Sequence, residues 1–459
     1  MKFTYIQKTP LYKAFSDMGR RIFLPDGIFY WSERAKKEAE LVGTIGSAYG
    51  FENEFIDGGS YNWVPCYLED FKEYSSLNIK SIIPYASVGG LSEVREVWKK
   101  WILKKSKYDS ESDSGKLSFL EKLITTPIVT QGITNGLFIC CSMLLNPGDY
   151  IILPNKRWGN YDNIINKFIG ANIKSFEFFM GDKINVQGLK NAMQEVGKKQ
   201  DKIIMLLNFP NNPTGYCPTK IEINEILEIL KESQDIAKLP LIVLIDDAYE
   251  PFVYKDDVFN RSIFYDLLEL NSDIVPIKLD GISKELLAYG GRVGFITIGL
   301  NSKWADNDGE LELLKTEIIN KLEGMIRSTI SNTNHFYQTV TQIMFKGEGM
   351  DKIVEKREKV RLMLKKRFNL INSELNKINN PNISIDPNSG GFFLFVNLNH
   401  EKIKAKEFAD HLLKEYKVGI IPIENLDENV NGIRIAYCSI DLNRIPELIK
   451  RINLAINDF

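Results

Sequence analysis

From residue 125 onward, short apolar runs alternate with longer segments whose apolar residues recur every three or four positions. The runs TTPIVTQG (125–132), YIILP (150–154), ANIKSFEF (171–178), DKIIMLLN (201–208), LPLIVLIDD (239–247), IVPIKL (274–279) and VGFITIG (293–299) have the length and composition of strands. Between them, ITNGLFICCSMLL (133–145), VQGLKNAMQEV (186–196) and TKIEINEILEILKESQ (219–234) have helical spacing. The last of these turns Ile223, Ile226, Ile229 and Leu230 to one face. Strands that are apolar throughout are covered on both faces, and strands separated by amphipathic helices pair in parallel. The pattern therefore predicts an α/β fold with a mostly parallel sheet of seven-stranded type, covered by helices. Ligands of such sheets bind at the carboxyl ends of the strands.

The flanks differ. Residues 33–41 (ERAKKEAEL) suit a helix, and VGTIGSAYG (42–50) breaks it with glycines. From Leu91, the residues Val94, Val97, Trp98, Trp101 and Ile102 share one helical face. The polar stretch 106–117 (SKYDSESDSGKL) reads as a surface insertion. After residue 300 long amphipathic helices follow at 311–326 and 353–375, then GGFFLFVNL, EFADHLLKEY, VGIIPI, GIRIAYC and RIPELIKRINLAI, an α+β tail. The basic run KREKVRLMLKKR (356–367) is expected to be a solvated helix face. The expected organisation is an N-terminal segment (1–60) contributing to a small domain, a large domain (61–335) and a small α+β domain (336–459).

Composition narrows the classes of function. Among 459 residues, 58 Lys plus Arg balance 60 Asp plus Glu, which gives a formal net charge of −2 and argues against nucleic acid as a partner. No apolar stretch is long enough to span a bilayer and no secretory leader is visible, so a cytoplasmic protein without membrane contact is expected. The five cysteines (66, 140, 141, 217, 438) are scattered, with no CxxC or Cys/His grouping. Neither a disulfide framework nor a metal site follows. His335, His400 and His411 are far apart, which disfavours a histidine-centred triad.

The chemistry concentrates at strand ends: TQGITNG (130–136), NFPNNPTG (208–215), DDAYEPF (246–252), and DGISKELLAYGGRVGF (280–295). In the last, Lys284 falls on a polar turn just after one apolar strand, and Arg292, eight residues on, opens the next. That placement suits an anionic, carbonyl-bearing partner better than ordinary surface charge. TQGITNG passes from a strand through Gly132 into a helix, so Ile133 and Thr134 present amide N–H groups that suit a phosphate.

In this order, Asn-Pro-Thr-Gly, Asp-x-x-Tyr and Ser-Lys followed eight residues later by Arg resemble the class I/II aminotransferases. These are the aspartate aminotransferase superfamily, enzymes of fold type I that depend on pyridoxal 5′-phosphate. The resemblance runs from about residue 42 to the C-terminus. It implies that Lys284 forms the internal imine and shuttles the proton, and that Asp246 keeps the ring nitrogen protonated. Asn212 and Tyr249 would bond the ring's phenolic oxygen, and Trp158 would stack on the ring. Gly132, Ile133, Thr134, Ser283 and Arg292 would hold the phosphate, joined by Tyr85 from a neighbouring subunit, so a homodimer with shared active sites is expected. Arg434 would clamp the substrate α-carboxylate beside Gly46. Arg327 matches an arginine that, from the neighbour, binds a side-chain carboxylate.

One departure stands out: the family often has a hydroxyl residue three positions before the lysine, and here that position is Gly281. The implied activity is transfer of an amino group from an L-amino acid, of aspartate/glutamate or aromatic type, to a 2-oxo acid by a ping-pong mechanism. A C–S lyase or amino-acid decarboxylase on the same scaffold is the alternative. A cofactor-binding regulator joined to a DNA-binding head is disfavoured by the balanced charge and by the lack of an N-terminal helix-turn-helix pattern.

Overall fold

The computed structural model describes residues 5–24, 27–71, 77–108, 114–270, 272–346 and 349–459. A long helix α1 (Ser92–Lys105) precedes the sheet. Then come β1 (Ile128–Thr130), α2 (Ile133–Leu144), β2 (Tyr150–Pro154), β3 (Asn172–Phe176), α3 (Val186–Gly197), β4 (Ile203–Asn208), α4 (Lys220–Ala237), β5 (Leu241–Asp246), β6 (Ile274–Gly281), a one-turn helix α5 (Ile282–Glu285) and β7 (Gly294–Ile298). The strands form one seven-stranded sheet in the order β1-β7-β6-β5-β4-β2-β3. All neighbours are parallel except β7, which runs antiparallel to both β6 and β1.

The strands are apolar throughout because both faces are buried. On β4, Ile203, Met205 and Leu207 enter one core cluster, while Ile204 and Leu206 enter another on the opposite face. β5 repeats this with Leu241, Val243 and Ile245 on one side and Ile242 and Leu244 on the other. The two-residue strand period thus supplies both layers at once. Each fully buried side chain of this kind is worth about 1.5–3 kcal/mol relative to exposure. Helix α4 starts where Thr219 and Glu222 form a reciprocal capping box, and ends at Lys238 in the left-handed region (φ 53°).

Beyond α6 (Asp308–Thr329) and α7 (Gly349–Leu375), the chain builds a four-stranded antiparallel sheet. Its strands are β8 (Ile383–Ile385), β9 (Leu394–Leu398), β10 (Ile421–Asn425) and β11 (Val430–Ile435), in the order β8-β9-β11-β10. Helices α8 (Ala405–Tyr416) and α9 (Ile445–Asn457) flank it. Leu41–Val42 pairs in parallel with Val418–Gly419, which brings the glycine-bearing stretch 43–50 to this part of the molecule.

Three expectations change. The helix placed at 33–41 runs Ile28–Glu38, and Leu41 is instead in a strand. The basic run 356–367 is not simply a solvated face. Arg367 is 1% exposed and donates from Nη1 to the carbonyls of Tyr49 (2.5 Å) and Cys438 (2.8 Å), and Arg357 Nη1 reaches Glu285 (3.3 Å). Buried acceptors on neighbouring segments draw these side chains inward, which charge pattern alone does not reveal. The insertion at 106–117 lies partly outside the described residues, and its end already belongs to a helix at Ser114–Leu123. All five cysteines are buried and free. Among the described residues no helix is long and apolar enough to cross a membrane.

Candidate active site

The carboxyl ends of the central strands are level: Asp246 of β5 is in register with Asn208 of β4 and Leu279 of β6. Everything that follows these residues therefore collects along one edge. Lys284, expected on a polar turn, sits on α5 directly beyond β6. Arg292, expected to open the next strand, instead precedes β7 with φ 51°. It turns the chain back into an antiparallel strand, which strand patterning does not specify.

Arg292 is solvent-facing, and its guanidinium covers Gly132, where an added Cβ would lie 2.5 Å from Nη2. Arg292 Nη1 donates to Ser283 Oγ at 3.3 Å. Gly132 (φ 78°) starts α2, whose first amides at Ile133 and Thr134 have no carbonyl within the helix to bond. A guanidinium and a helix N-terminus thus converge on one small volume suited to an anion.

The backbone around this volume is packed too closely for side chains. A Cβ on Gly281 would lie 2.6 Å from the Val293 carbonyl, and one on Gly294 would lie 2.7 Å from the Ile133 nitrogen. The missing hydroxyl at position 281 therefore has a steric reason. Any side chain there would push β6 away from β7, and the nearest hydroxyl is that of Ser283.

Asp246 is buried, which raises its pKa. Opposing that shift are the Tyr161 hydroxyl (2.7 Å to Oδ2), the Ala248 amide (3.1 Å to Oδ1) and the charge of Lys284. Asn208 fixes the same turn by donating to the Asp246 carbonyl (2.8 Å) and accepting from the Asn212 amide (2.8 Å). The side chain of Asp247 points the other way, to Lys278 and Ser262. Lys284 Nζ lies 5.9 Å from the centre of the Tyr249 ring and makes no ion pair among the described residues. Burial and the neighbouring Arg292 lower its pKa, with Asp246 opposing. An amine so placed loses its proton more readily than a surface lysine, as a nucleophile must.

Opposite stands Arg434 on β11, 3% exposed and without a carboxylate partner among the described residues. Nη2 donates to the Thr44 carbonyl (2.9 Å) and Nη1 to Asn212 Oδ1 (3.3 Å), while Nε and the Thr44 hydroxyl have no partner. Its guanidinium lies 4.1 Å over the Phe393 ring. Burial pushes its pKa down to about 10. A buried cation with an unused donor calls for an anionic ligand. Gly46 leaves the space, since a Cβ there would lie 2.9 Å from Phe393. Trp158 meets Tyr161 edge-on at 5.4 Å and flanks the Asp246 side.

The family sequence model described as "Aminotransferase class I and II" matches residues 72–452. The chain belongs to the class I and II aminotransferases. It is thus a transaminase, and the family match does not favour the lyase or decarboxylase alternative. An aspartate aminotransferase of Sulfolobus acidocaldarius is 25% identical over 383 residues, covering 81% of this chain and 82% of the relative. An aromatic-amino-acid aminotransferase of Thermococcus litoralis is 23% identical, covering 81% and 84%. The crystal structure of an aminotransferase from Anaerococcus prevotii superposes with a TM-score of 0.77 at 23% identity, covering 95% of this chain and 98% of that one. The α/β fold of type I is thereby shared.

Within this aminotransferase, Lys284, Asp246, Tyr249, Asn212, Arg292, Ser283, Gly132, Ile133, Thr134, Trp158, Arg434 and Gly46 gather along one edge. Tyr85 and Arg327 do not join them within one protomer. Tyr85 is 89% exposed, and Arg327 is exposed with Nη1 bonded to Ser331 Oγ at 2.5 Å. Sequence reading missed Tyr161, Asn208, Thr44 and Phe393. Tyr161 falls three residues after Trp158 and Phe393 follows the Gly390-Gly391 pair, so local spacing offered a hint for those two. For Thr44 it offered none.

Proposed function

We propose that this aminotransferase binds pyridoxal phosphate at the Lys284 edge and transfers the amino group of an aspartate/glutamate-type or aromatic L-amino acid to a 2-oxo acid in two half-reactions. The observation that carries the reading is the facing pair of Lys284, an amine of lowered pKa, and Arg434, a buried guanidinium with an unused Nε. Together they suit a molecule with an α-amino and an α-carboxyl group.

The residues fit the cofactor. The Arg292 guanidinium over Gly132 and the first amides of α2 would hold the phosphate. Asp246, held by Tyr161, accepts a proton-bearing ring nitrogen. When bound, the cofactor supplies an electron sink for the bonds at the substrate α-carbon. Lys284 takes and returns a proton at that carbon once its amine is free. Arg434 orients the substrate by its carboxylate, with Phe393 shielding the guanidinium face from water. Asn212 holds one edge of that guanidinium and keeps its own Nδ2 available as a donor to the ring oxygen, alongside Tyr249. Trp158 would cover the ring.

Exposed Tyr85 and Arg327 support a homodimer in which each protomer completes its neighbour's site. The exposed apolar side chains of Tyr61, Ile79 and Ile83 support the same reading. We place residues 1–60 with the small domain of residues 336–459, on the strength of the pairing of Leu41 with Val418. The large domain then spans 61–335. Free buried cysteines support a cytoplasmic setting.

The test is a panel of amino acids added to the reconstituted full-length protein while the visible band of the lysine-linked cofactor is followed. Aspartate, glutamate or aromatic amino acids should bleach it to the amine form without release of ammonia or CO₂. Lys284→Ala should abolish both the band and turnover. Release of ammonia or CO₂, or an intact band in Lys284→Ala, refutes the reading.

A further inference from the structure

Behind Lys284 lies a second charged constellation that the reaction does not touch. α1 carries Trp98, Trp101 and Lys105 at helical spacing of three and four, so all three point to one side. Trp98 Nε1 donates to Asp280 Oδ1 (2.9 Å) and Trp101 Nε1 to Glu285 Oε1 (2.7 Å). Lys105 Nζ donates to the second oxygen of each carboxylate, Asp280 Oδ2 at 2.9 Å and Glu285 Oε2 at 3.0 Å. Asp280 stands four residues before Lys284, and Glu285 directly after it. Both carboxylates are essentially fully buried.

The carboxylates of Glu250, Asp280 and Glu285 approach closely enough to ligate a metal ion. Lys105 Nζ fills that position, within 3.0 Å of all three. Burial alone would lower the Lys105 pKa, but these carboxylates outweigh it and raise the value, so the charge is retained.

The reactive lysine has no comparable anchor. Its amine makes no ion pair among the described residues, and α5 is only four residues long. One turn of helix does not hold its shape unaided, because nucleation is unfavourable. Its position must come from tertiary contacts, and the α1 donors grip it on both sides. The rings of the two tryptophans are independently packed: Trp98 stacks on Phe295 at 4.1 Å and Trp101 meets Phe345 at 5.1 Å. The indole N–H bonds are therefore separable in part from the packing.

We infer that Trp98, Trp101 and Lys105 are positioning residues that fix the Lys284 turn through Asp280 and Glu285. This rests on the role of Lys284 given above. The experiment compares wild type with Trp98→Phe/Trp101→Phe, both full length and loaded with pyridoxal phosphate. Phenylalanine keeps an aromatic ring at each position, and removes the indole donor together with one ring's worth of packing. Borohydride reduction and peptide mapping of wild type first locate the cofactor-bearing lysine; a site other than Lys284 overturns the functional reading itself.

With the cofactor on Lys284, the double variant should still fold cooperatively but unfold at a lower temperature than wild type, because two buried carboxylates each lose a donor. The pH midpoint of its lysine-linked band should move by about half a unit or more. Its bleaching rate at saturating amino acid should fall on the order of tenfold, with half-saturation little changed. An unchanged midpoint together with an unchanged saturating rate overturns the inference. If the double variant does not fold, Trp101→Phe alone is held to the same outcomes.

Discussion

Two sides of the same strand ends behave in opposite ways. On the open side stand Asp246, Tyr249 and Lys284; on the closed side stand their sequence neighbours Asp247, Glu250 and Glu285. The closed side is paired charge to charge, although Glu250 Oε1 accepts no hydrogen bond among the described residues. Lys278 bonds Asp247 and Glu250, and Lys105 bonds Glu250, Asp280 and Glu285. For Glu250, burial would raise the pKa, but the two lysines hold it below the usual carboxylate range. On the open side neither Lys284 nor Arg434 makes an ion pair among the described residues, and burial lowers both pKa values. Adjacent residues thus divide between a paired group that holds the backbone and an unpaired group that awaits a ligand. The lesson is that burial alone does not mark function here; burial without a partner does.

The contrast can be broken from either side. The largest effect is expected from Lys278→Met, which leaves Asp247 and Glu250 short of a partner. It should lower the unfolding free energy by about 3–5 kcal/mol in denaturant titration. Arg434→Met should do the reverse, leaving stability equal or higher while kcat/KM for the amino-acid substrate falls about 100-fold. Gly281→Ser restores the hydroxyl common in the family, yet should destabilise by about 1–3 kcal/mol, because its Cβ meets the Val293 carbonyl.

The smallest effect concerns pH. Lys284 has a lowered folded pKa, so it weakens the apo protein while both folded and unfolded chains carry the proton. That penalty fades as pH rises from the folded value towards the ordinary lysine value of 10.5, since only the unfolded chain then remains protonated. Apo Lys284→Met should therefore unfold at a higher temperature than apo wild type near neutrality. The difference should shrink as pH approaches that upper value. A constant difference across pH would mean that the lysine is not destabilised by burial.

Much of the open side was legible in the sequence because its groups close strands or open helices, where local pattern and chemistry coincide. Lys284 and Asp246 follow apolar runs, Arg292 precedes one, and Arg434 lies within one. The antiparallel course of β7 was not legible. It depends on the left-handed Arg292, a non-glycine residue that propensity does not place there. The closed side was legible only in part. Trp98 and Trp101 were placed on a buried helical face, but their N–H partners lie some 180 residues away in sequence. Lys278 sits inside an apolar strand and Arg367 inside a basic helix, and in both cases the partners are supplied by tertiary packing.

The close approach of Gly281, Gly294 and Gly132 has a consequence for how this chain can vary. A side chain on Gly281 would run into Val293 and Gly294, and one on Gly294 would run into Gly132 and Ile133. The three positions, though distant in the gene, therefore form a single mutational unit. A lone nucleotide change giving alanine or serine at 281 or 294 meets a neighbouring backbone, and one at 132 meets the Arg292 guanidinium; a second change at another of the three cannot relieve it, because glycine is already the smallest residue. Drift towards the hydroxyl-bearing variant of the family is blocked unless the backbone path at 293–294 changes with it.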